Sequence, residues 1–128
     1  MNDAPRQKVA GVGGFFFRAK DPAALAEWYA RHLGVEEGEG GSPWRQGSGF
    51  TVFAPFPEDS DYFAADRRFM LNFRVDDLDA MLAQLAAAGI AAETRPEEWD
   101  GRYGRFARIH DPEGNPVELW EPPEGARG

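Results

Sequence analysis

The chain has 128 residues, of which 42% are hydrophobic and 13% aromatic, and its formal net charge is −8. This composition predicts a single domain over residues 1–128 with its own core, and it argues against a disordered chain. Net negative charge repels phosphates, so we expect no nucleic-acid partner. No stretch approaches the roughly 18 apolar residues of a membrane span, and residues 1–14 lack the apolar run of a signal peptide. The absence of cysteine excludes disulfides and Cys-ligated zinc and fits a cytoplasmic protein.

The first half of the chain reads as a strand, a helix and short strands. Residues 9–18 are apolar and Phe-rich without alternation, which favours a strand covered on both faces. Asp21 and Pro22 predict the start of a helix, as N-cap and first helical residue, and Gly34 predicts its left-handed C-cap. Residues 44–53, with a Gly-Ser-Gly turn in the middle, predict a hairpin.

The second half repeats this order. Residues 69–75 predict a strand, Asp77 predicts a helix N-cap, and Gly89 predicts the end of that helix. Three further strands are predicted at 91–94, 105–110 and 117–120, with a loop over 95–104 and a turn over 111–115.

A constant spacing of 56 residues relates the two halves. Phe17 corresponds to Phe73, and the capping Asp21 corresponds to Asp77. A fixed period indicates duplicated architecture. We therefore predict two modules, about 9–57 and about 68–123, with the surface between them as the natural place for a ligand.

These motifs, taken in order, resemble the glyoxalase/bleomycin-resistance family of the vicinal oxygen chelate superfamily. The residues that carry the resemblance are RAKD at 18–21, WY at 28–29, LG at 33–34, FRVDD at 73–77 and DPEGNPVELW at 111–120. The resemblance covers about residues 9–123, and its last motif is the most specific. It implies an α+β fold in which two tandem βαβββ modules form an open, cup-like mixed β-sheet with the helices outside. It also implies a homodimer.

The metal-ligand positions that the resemblance implies are mostly without ligands here. In metal-dependent members a first-strand ligand, usually His, would fall on Gly14 and on Met70, and neither residue binds a hard metal. The last-strand carboxylate of the first module would fall near Thr51 or Val52, so only Glu118 keeps its ligand type. One carboxylate cannot hold a divalent ion tightly, because such sites need several N or O donors. We therefore expect no metal and no cofactor.

Strand alternation places one set of side chains on the face that the family uses for ligands. The predicted ligand-binding residues are Phe16, Thr51, Phe53, Met70, Asn72, Glu118 and Trp120. Such a lining is apolar and aromatic with few polar groups, which suits a small aromatic or hydrophobic molecule. One alternative is that the apolar members fill the cup as core and that Glu118 is a structural remnant of a metal site.

The favoured hypothesis is a protein that binds such a molecule in a metal-free cup. A second hypothesis is a metal-dependent isomerase, lyase or ring-cleaving dioxygenase that uses Glu118 together with unconventional donors such as Asn72 or His110. A third is metal-free catalysis with Glu118 as a general base. The sequence does not identify the ligand or a reaction.

Overall fold

The structure, a computed structural model, describes residues 6–126. The outermost parts of the predicted domain, residues 1–5 and 127–128, lie outside the described residues. In chain order the elements are α1 (Pro22–Leu33), β1 (Leu71–Arg74), α2 (Leu78–Ala87), α3 (Pro96–Trp99), β2 (Arg105–His110) and β3 (Pro116–Glu121), with short 3-10 turns at Glu39–Gly41 and Glu124–Ala126. The predicted α+β class is confirmed. None of the helices within residues 6–126 is long and apolar enough to cross a membrane.

Both long helices begin and end where their capping residues predict. The carboxylates of Asp21 and Asp77 each accept a backbone N–H three residues later, at 3.1 and 3.0 Å. Gly34 ends α1 with φ 73°, and Gly89 follows α2 with φ 79°. Only glycine adopts this left-handed conformation at little cost. The capping signals in the sequence therefore located both helices correctly.

The three strands form one small mixed sheet in the order β1-β3-β2. β1 runs parallel to β3, and β2 runs antiparallel to β3. The predicted strand over 91–94 is reduced to a single bridge between Glu93 and Arg108, and the predicted loop over 95–104 contains the short helix α3. The second half thus has the expected succession of strand, helix and returning strands.

One face of the sheet packs against α1 and α2. The buried side chains of the core are Leu25, Tyr29, Leu78, Leu85, Ala107, Ile109, Val117 and Leu119. Leu71 and Phe73 of β1 are register partners of Val117 and Leu119 of β3 and join this core. Alternate residues of each strand therefore point to the opposite face, where the polar side chains lie.

The first half does not form its predicted strands. Within residues 6–70 the structure contains no strand, so the predictions of strands over 9–18 and 44–53 are wrong for a single chain. Phe16 and Phe53 are 94% and 87% exposed. Apolar composition predicts a segment that favours burial in a sheet, but it does not specify the strand edge that the segment pairs with. The tandem modules and the complete cup consequently remain predictions.

Side-chain contacts still hold part of the first half beside β1. The ring centroid of Trp44 lies 6.2 Å from that of Phe73. The Arg74 guanidinium donates from Nη1 to the carbonyl oxygen of Ser48 at 2.9 Å and from Nη2 to that of Gly47 at 2.8 Å. The segment around residues 44–48 therefore borders the outer edge of the sheet.

Candidate ligand-binding site

The turn between β2 and β3 is built around the buried carboxylate of Asp111. Its Oδ1 accepts hydrogen bonds from the backbone N–H groups of Glu113 and Asn115, at 2.9 and 3.0 Å. Its Oδ2 accepts from the Tyr29 hydroxyl at 2.7 Å and from Asn115 Nδ2 at 2.8 Å. Burial first, and then the hydrogen bond to Asp111, raise the pKa of Tyr29 above its ordinary value. Asp111, in the most specific motif of the sequence, therefore connects α1 to the sheet. We call these contacts of Asp111 the brace.

Two further contacts extend this brace. Glu113 accepts the backbone N–H groups of Lys20 and Asp21 at 2.7 and 2.9 Å, where the chain enters α1. Arg67 donates to Asn115 Oδ1 at 2.9 Å and to the Glu113 carbonyl oxygen at 3.2 Å. The turn thus joins the first helix, the end of the linker and the sheet.

The opposite face of the sheet carries a row of three polar side chains, one from each strand, which we call the polar row: Asn72, Glu118 and Arg108. These residues are register partners across β1, β3 and β2. Asn72 Nδ2 donates to Glu118 Oε1 at 2.8 Å. Glu118 and Arg108 are each only 7% exposed, although Asn72 is exposed. The structure therefore brings together two predicted site residues, Asn72 and Glu118.

The linker between the two halves places Tyr62 over the polar row. Its hydroxyl donates to Glu118 Oε2, and its carbonyl oxygen accepts from Arg108 Nη2 at 3.1 Å. The guanidinium carbon of Arg108 lies 5.0 Å from the Tyr62 ring centroid and 5.4 Å from that of Trp99. Both oxygens of Glu118 are therefore hydrogen-bonded, and Tyr62 covers the carboxylate.

Tyr62, Trp99 and Arg108 are not among the site residues predicted from the sequence. For Arg108 a signal was present, because a hairpin closed by the turn at 111–115 pairs position 108 with position 118. Tyr62 and Trp99 lie in a linker and a predicted loop, whose side chains have no period that would assign them to a face.

The environment of Tyr62 opposes its ionisation. Burial has the largest effect on the pKa of Tyr62 and raises it. The hydrogen bond to Glu118 and the negative charge of that carboxylate also raise the pKa, while Arg108 lowers it. Together they raise the pKa of Tyr62 from its ordinary value of 10.0 to about 12. The phenol is therefore a neutral donor to a carboxylate at neutral pH.

We expect a pH titration to reveal this tyrosine. Because its pKa is higher in the folded chain, the stability that it contributes is present below pH 10 and is lost as pH rises towards about 12. The tyrosinate absorbance of the wild type minus that of Tyr62→Phe should therefore show one transition near pH 12. A difference curve with its midpoint at pH 10 would contradict the contact with Glu118.

Five of the predicted ligand-binding residues border one cleft along the outer edge of β1: Thr51, Phe53, Met70, Asn72 and Trp120. The volume of about 1930 Å³ exceeds the roughly 300–1,000 Å³ of a typical ligand pocket, so this is an open groove. Phe16 is exposed and lies outside the lining of this groove. Glu118 also lies outside it, underneath Tyr62.

The Trp120 side chain is already engaged within the second half. Its Nε1 donates to the carbonyl oxygen of Tyr103 at 2.7 Å. Its ring stacks on that of Phe106 at a centroid distance of 6.2 Å and an interplanar angle of 4°. Trp120 therefore offers a positioned aromatic wall to the groove.

The metal of the vicinal oxygen chelate superfamily does not fit the donors that are present. Glu118 is the one carboxylate at the implied ligand positions, and its two oxygens already accept hydrogen bonds from Tyr62 and Asn72. Across the described part of the chain, no group of three or more His, Asp or Glu side chains could hold an ion. The residues of this face therefore do not form the metal site that the superfamily implies.

The fold and the motifs agree with the family model and the solved structures that this chain resembles. A family model described as Glyoxalase-like domain matches residues 14–120. The crystal structure of TnmS3, an antibiotic binding protein from Streptomyces sp. CB03234, matches with a TM-score of 0.55 and 22% identity, over 92% of this chain and 100% of that chain. At this identity the match shows the shared fold.

Two other solved structures match over shorter lengths. A glyoxalase/bleomycin resistance protein from Streptomyces sp. CB03234 is 36% identical over 40% of this chain and 42% of that chain, with a TM-score of 0.31. The glyoxalase family protein from Enterococcus faecalis is 31% identical over 52% of each chain, with a TM-score of 0.39. This chain therefore spans about half the length of those two proteins or less. A comparison with curated proteins gives no match. Because the family model covers most of the chain, the protein belongs to the Glyoxalase-like domain family, as its motifs predict.

Proposed function

We propose that this protein binds a small aromatic or hydrophobic molecule, without a metal ion, on the face of the sheet that carries the polar row. The observation that carries the proposal is the hydrogen bonding of Glu118. Its two carboxylate oxygens accept from Tyr62 and Asn72 and do not converge with other donors on a cation position. The groove beside it is bordered by Phe53, Met70 and Trp120. Apolar and aromatic walls with a few oriented polar groups are typical of small-molecule sites.

The description of TnmS3 as an antibiotic binding protein supports the same class of function. At 22% identity the shared property is the fold, so the ligand of that protein is not assigned to this chain. The proposal extends only to the binding of a small molecule with an apolar or aromatic body.

Two measurements on the purified protein test this function together. Elemental analysis should find no stoichiometric divalent metal. Small aromatic probes such as indole and 2-naphthol should raise the melting temperature, with cyclohexanol as the aliphatic control. A ligand at 100 times its Kd stabilises the native state by about 2.7 kcal/mol, which is a shift of several degrees in a domain of this size.

The opposite results would favour a different function. A melting temperature that no aromatic probe moves would contradict the proposed binding. A stoichiometric divalent ion would favour the metal-dependent isomerase, lyase or dioxygenase instead. Loss of that ion in Glu118→Gln would then place it at the polar row.

We further propose that two copies of the chain pair through the outer edge of β1 and the exposed apolar segments of the first half. Among residues 6–126, β1 has no strand partner on that edge. Phe16 and Phe53 expose 94% and 87% of their surface. An unpaired strand edge beside exposed apolar chain is a template for pairing with a second chain.

Sedimentation velocity measures this pairing directly. The wild type should sediment as a dimer, and the double variant Phe16→Glu/Phe53→Glu should sediment as a monomer. Tyr103→Glu is the matched control, because Tyr103 is 66% exposed but lies in the second half. A wild type that remains monomeric at high concentration would contradict the proposed dimer.

A further inference from the structure

The side chain that covers Glu118 comes from the linker and not from the sheet. Residues 42–70 contain neither helix nor strand, and Phe56 beside Tyr62 is itself 45% exposed. Besides Phe56, the Tyr62 side chain contacts Glu118 through its hydroxyl group, the guanidinium of Arg108, and the ring of Trp99, whose centroid is 6.2 Å away. We call the space bounded by the side chains of Glu118, Arg108 and Trp99 the phenol slot.

We propose that the Tyr62 side chain occupies the ligand position in this structure, and that the ligand is a hydroxyaromatic molecule. The ring and hydroxyl group of that molecule replace those of Tyr62 in the phenol slot. This inference rests on the proposed binding function and names its ligand class.

The hydrogen-bond acceptor in the slot is the reason why the ligand needs a hydroxyl group. Asn72 fixes Oε1 of Glu118, so the carboxylate presents Oε2 to the slot as a hydrogen-bond acceptor. Glu118 is 7% exposed, and a buried carboxylate that loses a donor is left at a cost. A ligand that displaces Tyr62 must therefore bring a donor of its own.

The side chains that border the slot are the reason why the ligand needs an aromatic ring. The guanidinium of Arg108 lies within 5.4 Å of both the Tyr62 and the Trp99 ring centroids. A cation and an aromatic face together favour a flat π-system over an aliphatic group of the same size.

Tyr62 satisfies its surroundings only in part. Arg108 Nε is buried and has no hydrogen-bond partner among residues 6–126. A larger hydroxyaromatic ligand with an additional oxygen can accept from this donor, which the Tyr62 hydroxyl oxygen does not do in this structure. Since Asn72 borders the open groove, such a ligand reaches the slot from the groove once Tyr62 moves away.

The experiment removes the Tyr62 ring by mutation and measures the binding of probes that differ in the presence of a hydroxyl group. Tyr62→Ala is titrated with phenol and with fluorobenzene, which has a similar size but no donor, by calorimetry and thermal shift. A hydrogen bond to a charged acceptor predicts that phenol binds roughly 10- to 100-fold more tightly than fluorobenzene. Tyr62→Phe keeps the ring in place and is the matched control, so phenol should not bind to it.

A second variant tests the role of the carboxylate. In Tyr62→Ala/Glu118→Gln, the amide oxygen faces the Asn72 donor and the amide NH₂ faces the slot. The hydroxyl group then loses its acceptor, and the preference for phenol should disappear. If Tyr62→Ala does not fold, 2-naphthol and 2-fluoronaphthalene are compared on the wild type and on Glu118→Gln, with the same preference and the same loss expected.

The outcomes separate the two proposals. Equal binding of phenol and fluorobenzene to Tyr62→Ala would overturn the hydroxyaromatic ligand and leave aromatic binding intact. Aromatic probes that bind the wild type and Tyr62→Phe with the same affinity as Tyr62→Ala would show that the slot is not the ligand position. Failure of every aromatic probe on every variant would overturn the proposed function as well.

Discussion

Replacing Asp111 with alanine is expected to lower the free energy of unfolding by about 3 to 5 kcal/mol, the largest loss from any single polar side chain among residues 6–126. The buried carboxylate accepts four hydrogen bonds, from Tyr29, from the Asn115 side chain and from two backbone N–H groups of the turn. Its removal leaves buried donors without an acceptor and detaches α1 from the turn. Equilibrium unfolding in urea, followed by circular dichroism, measures the change.

Two control variants separate this brace from a general effect of lost charge. Tyr29→Phe deletes one of the four donors and should cost about 1 kcal/mol. Asp59→Ala removes the same charge from an exposed turn and should leave the urea midpoint unchanged. An Asp111→Ala variant as stable as Asp59→Ala would show that the brace carries no stability.

The second large effect is an asymmetry within the polar row. Glu118→Leu should destabilise the fold by about 3 kcal/mol, whereas Arg108→Leu should cost less. Without Glu118, the buried cation of Arg108 loses the negative charge of its register partner on β3, and both Tyr62 and Asn72 lose their acceptor. Without Arg108, Glu118 keeps both donors.

A double-mutant cycle checks this asymmetry. Glu118→Leu/Arg108→Leu should be more stable than Glu118→Leu alone, because replacing two buried charges by apolar side chains is often close to neutral. Additive losses in the double variant would show that the two residues do not interact. A larger loss for Arg108→Leu than for Glu118→Leu would reverse the proposed order.

The motif that identifies the family supplies only part of the candidate site, through Glu118 and Trp120. Asp111, Glu113 and Asn115 connect the first helix to the sheet and take no part in the polar row. Tyr62, which occupies the phenol slot, and Trp99, which borders it, belong to no family motif of this sequence. A match to the family therefore establishes the architecture, while the ligand depends on Glu118 of the motif together with residues outside the motifs, Arg108, Tyr62 and Trp99.

Signals within a few residues of each other were enough to locate the two long helices and three of the four strands predicted in the second half. Asp21 and Asp77 cap helices because an N-cap needs only the backbone of the next three residues. Alternation within residues 117–120 placed Glu118 and Trp120 on one face, since a strand has a side-chain period of two. The ligand positions implied by the family resemblance predicted that Asn72 shares this face, and the register of β1 with β3 agrees.

The placement of Tyr62 on Glu118 depends instead on residues far apart in the chain. The two lie 56 residues apart, and no period, cap or turn signal connects a linker to a strand face. The same reason explains the missing strands of the first half, because the apolar composition of residues 9–18 favours burial without specifying a partner. Pairing depends on which strand edges are available once the whole chain, and any second copy, has assembled.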